Sequence, residues 1–187
     1  MKVIPYIKKL VEKQAKSKDN FYGYSAYTHH IVIVADLAKK LAKIRKADQE
    51  IAEIAAWLHD IASLQHKDFY KDHHTIGAKE AQKILKKINY PEEKIKIVCD
   101  AIYAHRGSKN ILRKTVEAKC LADADAMAHF LAVYDLFFMV YVIYKMKTDE
   151  GKNYVKDKLK RSWHKLSSDA RVLIKKEYDA AMIILRG

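Results

Sequence analysis

Two imidazoles and two carboxylates carry most of the chemistry this sequence can do. His59 and Asp60 are adjacent at the end of an apolar run, Ile51-Ala-Glu-Ile-Ala-Ala-Trp-Leu-His-Asp60. His30 lies near the start of the preceding helical run, and Asp125 lies far downstream in Leu121-Ala-Asp-Ala-Asp-Ala-Met127. Neutral nitrogen and anionic oxygen donors of this kind hold a divalent metal and leave coordination positions open for water and substrate. If the four residues converge, the chain carries a hydrolytic metal centre.

Their convergence depends on the elements that bear them. Adjacent helical residues point about 100° apart. His59 and Asp60 therefore share an ion only if it sits beyond their helix end, among neighbouring helices. An isolated His-Asp pair has a plainer use, with the carboxylate orienting the imidazole.

Those neighbours are legible as helices. Residues 2–17 form an amphipathic pattern with Ile4, Ile7, Val11 and Ala15 on one side, and Phe21–Ser25 is a break. From about Thr28 to Arg45, Val34, Leu37, Ala38 and Leu41 recur at helical spacing. His30 lies one turn before Val34 and shares its buried side. Asp48 suits the N-cap of the next helix, which runs to His59-Asp60. Residues 63–74 have no clean period and read as a loop, leaving His66 and His73 open to solvent. Thr75–Ile88 reads as a helix with His74 at its N-terminal edge. Pro91, Glu92 and Glu93 open a helix that ends at His105, before Arg106-Gly107-Ser108. A helix from about Thr115 to Met146, with a break near Asp125 as an option, precedes basic helical segments to residue 185. Nothing alternates with period two over a useful length, so the fold class is all-α.

Composition agrees. Five Gly and two Pro in 187 residues favour long ordered elements over β-rich or disordered architectures. Cys99 and Cys120 lie inside apolar helical patterns and read as reduced core thiols of a cytoplasmic protein. The N-terminus lacks the apolar region of a signal peptide. The run Phe130–Tyr144 is too short to span a membrane and is interrupted by Asp135. It reads as a buried helix, or as one shared with a second copy in a homodimer.

The net charge of +13 is uneven. Residues 145–176 hold eleven Lys/Arg against four Asp/Glu, and residues 1–20 hold six against two, so these ends carry surpluses of +7 and +4. Six of the 36 basic residues are Arg, so 30 are Lys, the less specific phosphate reader. Solvated Lys-rich helices account for the charge, and nucleic-acid binding is the alternative. The expected organisation is an N-terminal amphipathic helix (1–20), a metal-binding helical core (21–145) and basic C-terminal helices packed on it (146–187).

His30 followed by Val34-Ala35, His59-Asp60 flanked by Trp57-Leu58 and Ile61, and Ala124-Asp125-Ala-Met together resemble the HD-domain phosphohydrolase superfamily, over roughly residues 25–130. The resemblance implies a single-domain helical bundle in which His30, His59, Asp60 and Asp125 bind one divalent cation, of the Mn, Fe, Co, Ni or Mg kind. Asp60 would double as ligand and proton acceptor, with Glu80 a weaker base; Asp123 is the alternative to Asp125 as ligand, or else would support a ligand histidine. Ala126 stands where many members carry Arg. His74, shortly before Gly77-Ala78, and His105 resemble further family histidines that bind a second metal or hold the substrate phosphate. Arg106 and Lys67 join them as candidate phosphate contacts. One metal is the favoured reading, because no extra carboxylate or doubled histidine accompanies His105.

The implied function is metal-dependent hydrolysis of a phosphate ester, with small nucleotides favoured. The alternatives are a basic nucleic-acid-binding phosphodiesterase and a non-catalytic helical regulator. His29 takes a structural role and His164 a surface one, while His129, one turn past Asp125, is positioned to line the site in a core or supporting role and not as a ligand.

Overall fold

The computed structural model describes residues 2–106 and 111–186, so Gly107 and Ser108, expected to end the helix at His105, lie outside the described residues. The helices are α1 (Val3–Ala15), α2 (Val32–Ile44), α3 (Gln49–Leu58), α4 (Ile61–Gln65), α5 (His73–Lys87), α6 (Glu92–Ala104), α7 (Val116–Leu131), α8 (Val133–Phe138), α9 (Thr148–Lys165), α10 (Ser168–Leu173) and α11 (Lys175–Ile184). The described residues contain no strand, and the fold is all-α.

α3 explains where the site sits. Every residue from Ile51 to Leu58 is buried. A helix with no solvent face belongs in the interior, and α1, α2, α6 and α7 pack around it. The buried Glu53 on α3 accepts from Trp57 Nε1 at 3.4 Å and pairs with Lys39 at 3.0 Å. Asp48 starts the helix, its Oδ1 accepting from the backbone N–H groups of Glu50 at 2.9 Å and Ile51 at 3.1 Å. Such a cap contributes about 1 kcal/mol. At the other end the chain leaves the helical path at Asp60 and re-enters it at Ile61. His59-Asp60 thus stands at the end of the most buried helix.

α2 does not begin as an α-helix. Tyr27–Ile31 form a π-helical turn, in which the Val32 N–H donates to the Tyr27 carbonyl five residues back. One extra residue in a turn changes the direction of every side chain before it. His29 and His30 lie within this turn.

Three stretches differ from the sequence expectation. Residues 63–74 are largely helical: α4, a 3₁₀ segment (Lys67–Asp72) and the first turn of α5. These pieces are too short to display a period. α7 runs unbroken through Asp125, and the break falls at Ala132. There the chain bends by 75° into α8 and a second π turn, Met139–Ile143. The run Phe130–Tyr144 is accordingly not one buried helix. Leu136 and Val140 face inward, while Tyr134, Phe138 and Val142 are exposed. No single helix among the described residues is long and apolar enough to cross a membrane.

The C-terminal helices are fastened to the core by Arg45, at the C-terminal end of α2. Its Nη2 donates to Asp123 Oδ2 at 2.7 Å, Ser167 Oγ at 2.7 Å and Asp169 Oδ1 at 2.9 Å. The Ser167 backbone N–H donates to Asp123 Oδ1 at 3.0 Å. Asp123 therefore ties α7 to α2 and α10 and supports no histidine of the candidate site. Trp163 of α9 stacks on Tyr178 of α11 with centroids 4.0 Å apart.

Candidate metal centre

Four elements meet at the end of α3. The π turn brings His30, α3 and the turn after it bring His59 and Asp60, and α7 brings Asp125. His30 Nε2 lies 3.3 Å from His59 Nε2, 3.6 Å from Asp60 Oδ2 and 3.4 Å from Asp125 Oδ1. His59 Nε2 lies 3.3 Å from Asp60 Oδ2. Donors each about 2.1 Å from one ion stand roughly 3.0–3.4 Å apart, and two triads that share His59, His30–His59–Asp125 and His59–Asp60–His105, each hold one donor atom per residue within 4.8 Å of the others.

The tautomers fit as well. His59 Nδ1 is 2.7 Å from the Ala56 carbonyl, which only accepts, so Nδ1 carries the proton and Nε2 presents a bare lone pair. A ring held this way is a preset metal ligand. Burial lowers the His59 pKa, but Asp60 and Asp125 outweigh it and the net shift is upward. Burial raises the Asp60 carboxyl, yet His59, His73 and His30 hold it well below the usual carboxylate range. Asp125 follows the same pattern, with Lys165 and His30 offsetting its burial.

A second group adjoins the first. His73 Nε2 lies 3.1 Å from His105 Nε2 and 3.6 Å from Asp60 Oδ1. His73 Nδ1 donates to the Tyr70 carbonyl and His105 Nδ1 to the Ile102 carbonyl. Both Nε2 atoms are then bare, and two lone pairs at this distance repel unless a proton or cation lies between them. Burial, with His59 nearby, pushes the His105 pKa well down. Asp60 bridges the two groups, Oδ2 toward His30 and His59 and Oδ1 toward His73.

His73 replaces His74 at the site. The sequence expectation put His74 there and left His73 exposed; the structure buries both and turns His74 away, its ring stacked on Tyr103. On α5 the two side chains diverge by about 100°. His73 shares a face with Gly77, four residues on, and an added Cβ at Gly77 would meet the His59 carbonyl at 3.2 Å. That i, i+4 relation to the glycine marks His73 in the sequence.

Lys67 is also displaced from the site. It is exposed, with its Nζ 5.5 Å from the Phe21 ring centroid. Glu80 pairs with Lys83 at 2.8 Å on the outer face of α5. Arg106 does line the cavity at the metal centre, with His30, Asp60, His73, His105 and Asp125. So do His29, 3.4 Å from Asp135, and His129, whose ring stacks on His30 and whose Nδ1 meets Ser162 Oγ at 2.9 Å. Burial, with Lys158 nearby, drives the His129 pKa well down.

The residue that sequence reasoning missed is Lys165. It comes from α9, its side chain is 7% exposed, and its Nζ lies 2.5 Å from Asp125 Oδ2. Lys158 and Arg161 of α9 line the same cavity. The basic C-terminal segment is therefore not wholly a solvated surface. The spacing Lys158, Arg161, Lys165 defines one helical face, but one basic residue among many carries no mark of burial.

The HD domain family matches the chain over residues 27–129, from the first residue of the π turn to His129. The chain belongs to the HD-domain family. His30, His59, Asp60, His73, His105 and Asp125 all lie within this HD domain, while α9 lies beyond it. Over 123 residues the chain is 33% identical to Ribonuclease Y of Campylobacter fetus, and over 126 residues it is 31% identical to Ribonuclease Y of Wolinella succinogenes. The chain spans 22% of the length of these relatives. Among solved structures, a protein described as a predicted HD superfamily hydrolase, from an uncultured Thermotogales bacterium, superposes with a TM-score of 0.58. It is 25% identical, over 82% of this chain and 83% of that one. YpgQ of Bacillus subtilis, solved in complex with ADP, superposes with a TM-score of 0.72 over 98% of this chain and 94% of its own, at 22% identity; it shows the shared fold.

Proposed function

We propose that this HD domain is a divalent-metal-dependent phosphohydrolase acting on a small nucleotide. The observation that carries the reading is the cluster of His30, His59, Asp60 and Asp125, linked by contacts of 3.3–3.6 Å, of which His30, Asp60 and Asp125 line a cavity while His59 is fully buried. These four residues would hold the ion. Bound there, a divalent ion lowers the pKa of a coordinated water toward about 7 and polarises a phosphoryl oxygen.

The chain's own groups supply the rest. Asp60 Oδ1, turned away from His30 and His59, is placed to hold the proton of an attacking water. His73, His105 and Arg106 contact the non-bridging phosphate oxygens, Arg106 bidentately. Phosphoryl transfer depends mainly on such positioning and charge neutralisation. A cavity of about 260 Å³, near the lower end of small-molecule sites at roughly 300 Å³, supports a small ligand over a polymer. The ADP bound to YpgQ, a protein of the same fold, supports a nucleotide.

A second ion at His73, His105 and Asp60 Oδ1 is the alternative use of that pair. The facing bare nitrogens 3.1 Å apart favour it. The resemblance to Ribonuclease Y supports a nucleic-acid phosphodiesterase as the second reading of function.

The test is phosphate release from nucleoside mono-, di- and triphosphates and a short RNA, with Mn, Co, Ni or Mg supplied. Metal stoichiometry is measured in parallel. The expected result is metal-dependent release from nucleotides that His59→Ala abolishes. Release from RNA alone favours the second reading, and absence of any release that His59→Ala removes overturns both.

A further inference from the structure

α9 turns one face toward the cavity. Tyr154, Lys158, Arg161, Ser162 and Lys165 all line it, and their spacing is that of a single helical stripe. Lys165 is engaged with Asp125 at 2.5 Å. Lys158 and Arg161 line the wall without an ion-pair partner among the described residues. From Lys165 back to Lys158 the helix rises about 10 Å. These cations therefore lead away from the metal centre toward Tyr154, which meets Tyr144 edge-on at 6.2 Å.

Charge decides what this wall can accept. Among the described lining residues stand four basic side chains, Arg106, Lys158, Arg161 and Lys165, against the carboxylates of Asp60, Asp125 and Asp135; burial lowers the Lys165 pKa, and Asp125 opposes that shift. The cations exceed the carboxylates by one, and a bound dication raises the surplus to three. A single phosphate group is met by the ion, His73, His105 and Arg106, which leaves Lys158 and Arg161 unmatched. Each further phosphate adds negative charge along the line they define. An ammonium and a guanidinium side by side suit it, one as a point charge and the other as a two-pronged donor.

We propose that Lys158 and Arg161 form an anion subsite for the phosphates beyond the one cleaved. The preferred substrate is then a nucleoside di- or triphosphate and not a monophosphate. This rests on the phosphohydrolase reading, and it assigns a role to a helix outside the matched HD domain.

The test combines calorimetric titration of the whole protein with inorganic tripolyphosphate and steady-state kinetics on nucleoside mono- and triphosphates. The variants are Lys158→Ala/Arg161→Ala and, as control, Lys160→Ala, an exposed lysine outside the cavity lining. The double variant should weaken tripolyphosphate binding and raise KM for the triphosphate by at least about tenfold, with the monophosphate KM changed less than about twofold. The control should change neither. Equal losses on mono- and triphosphate, or unchanged tripolyphosphate binding, overturn the subsite. Tripolyphosphate binding that depends on Lys158 and Arg161, without hydrolysis under any metal, upholds the subsite while the hydrolase reading fails.

Discussion

Lys165 of α9 sets its Nζ 2.5 Å from Oδ2 of Asp125 on α7, while the other oxygen of that carboxylate stands 3.4 Å from His30 Nε2. Asp125 is thus shared between Lys165 and the donor cluster. Replacing Lys165 with Met leaves a buried carboxylate without its counter-charge. The expected cost in metal-free protein is about 3–5 kcal/mol. Saturating Mn should shrink that cost, because the ion supplies the missing charge. Urea unfolding with and without Mn checks this, and equal losses in both conditions contradict it.

Gly77 keeps α5 against the end of α3. An added Cβ would meet the His59 carbonyl at 3.2 Å and Ile102 Cγ2 at 3.6 Å. Gly77→Ala asks the neighbours to give a few tenths of an ångström. Gly77→Val asks for more and should cost about 1–3 kcal/mol by overpacking. Because His73 is on the same face of α5, Gly77→Val should also weaken metal binding, read by competition with a chelating dye. Normal metal affinity in a destabilised Gly77→Val protein would separate the glycine from the site.

His73→Ala and His74→Ala distinguish two adjacent buried rings. His73 is 3.1 Å from His105 Nε2, whereas His74 stacks on Tyr103. His73→Ala should lower kcat/KM by about 10–100-fold, the range for groups that orient a metal site. His74→Ala should lower the unfolding temperature with a smaller change in kcat/KM. The reverse ranking would return the site role to His74.

Arg45 holds the C-terminal helices through Asp123 and Asp169. The Arg45–Asp123 pair is buried, so Arg45→Ala should cost about 3 kcal/mol at neutral pH. Asp169 adds a pH dependence. Hydrogen bonds from Arg45 and Ser167 hold its carboxyl well below the ordinary value of 3.8. Its contribution is therefore complete above that value and is lost as pH falls below it, through the depressed folded pKa. The stability gap between wild type and Arg45→Ala should narrow below about pH 3.8. Unfolding midpoints measured from pH 6 to pH 3 check the sign, and a gap that widens toward acid contradicts it.

Helix positions were legible wherever a stripe was long. The Asp48 cap acts as its residue type implies, and His30, His59, Asp60 and Asp125 lie in one linked group of contacts of 3.3–3.6 Å. Local register was less legible. His73 and His74 differ by one residue, and in a short helix start only the i, i+4 relation of His73 to Gly77 separates them. Lys165 was hidden for another reason: its burial depends on where α9 lands, and nothing in a lysine-rich helix announces which lysine turns inward. Asp123 looked like support for a ligand, but its partners come from residues 45 and 167, a contact that exists only after the chain has closed.

The π turn at Tyr27–Ile31 holds one residue more than an α turn needs. Removing one residue between Tyr27 and His29 would let α2 extend as a regular helix, with a complete backbone ladder and its apolar stripe intact. Everything before the deletion would then rotate by about 100° relative to α2, and the short link to α1 would have to absorb that rotation. A shorter chain of this kind gains regularity in the helix and loses the entry angle that leads Tyr22 and Ser25 along the cavity. Here the irregular turn, and not only the regular helices around it, sets where Tyr22, Ser25, His29 and His30 stand along the cavity wall.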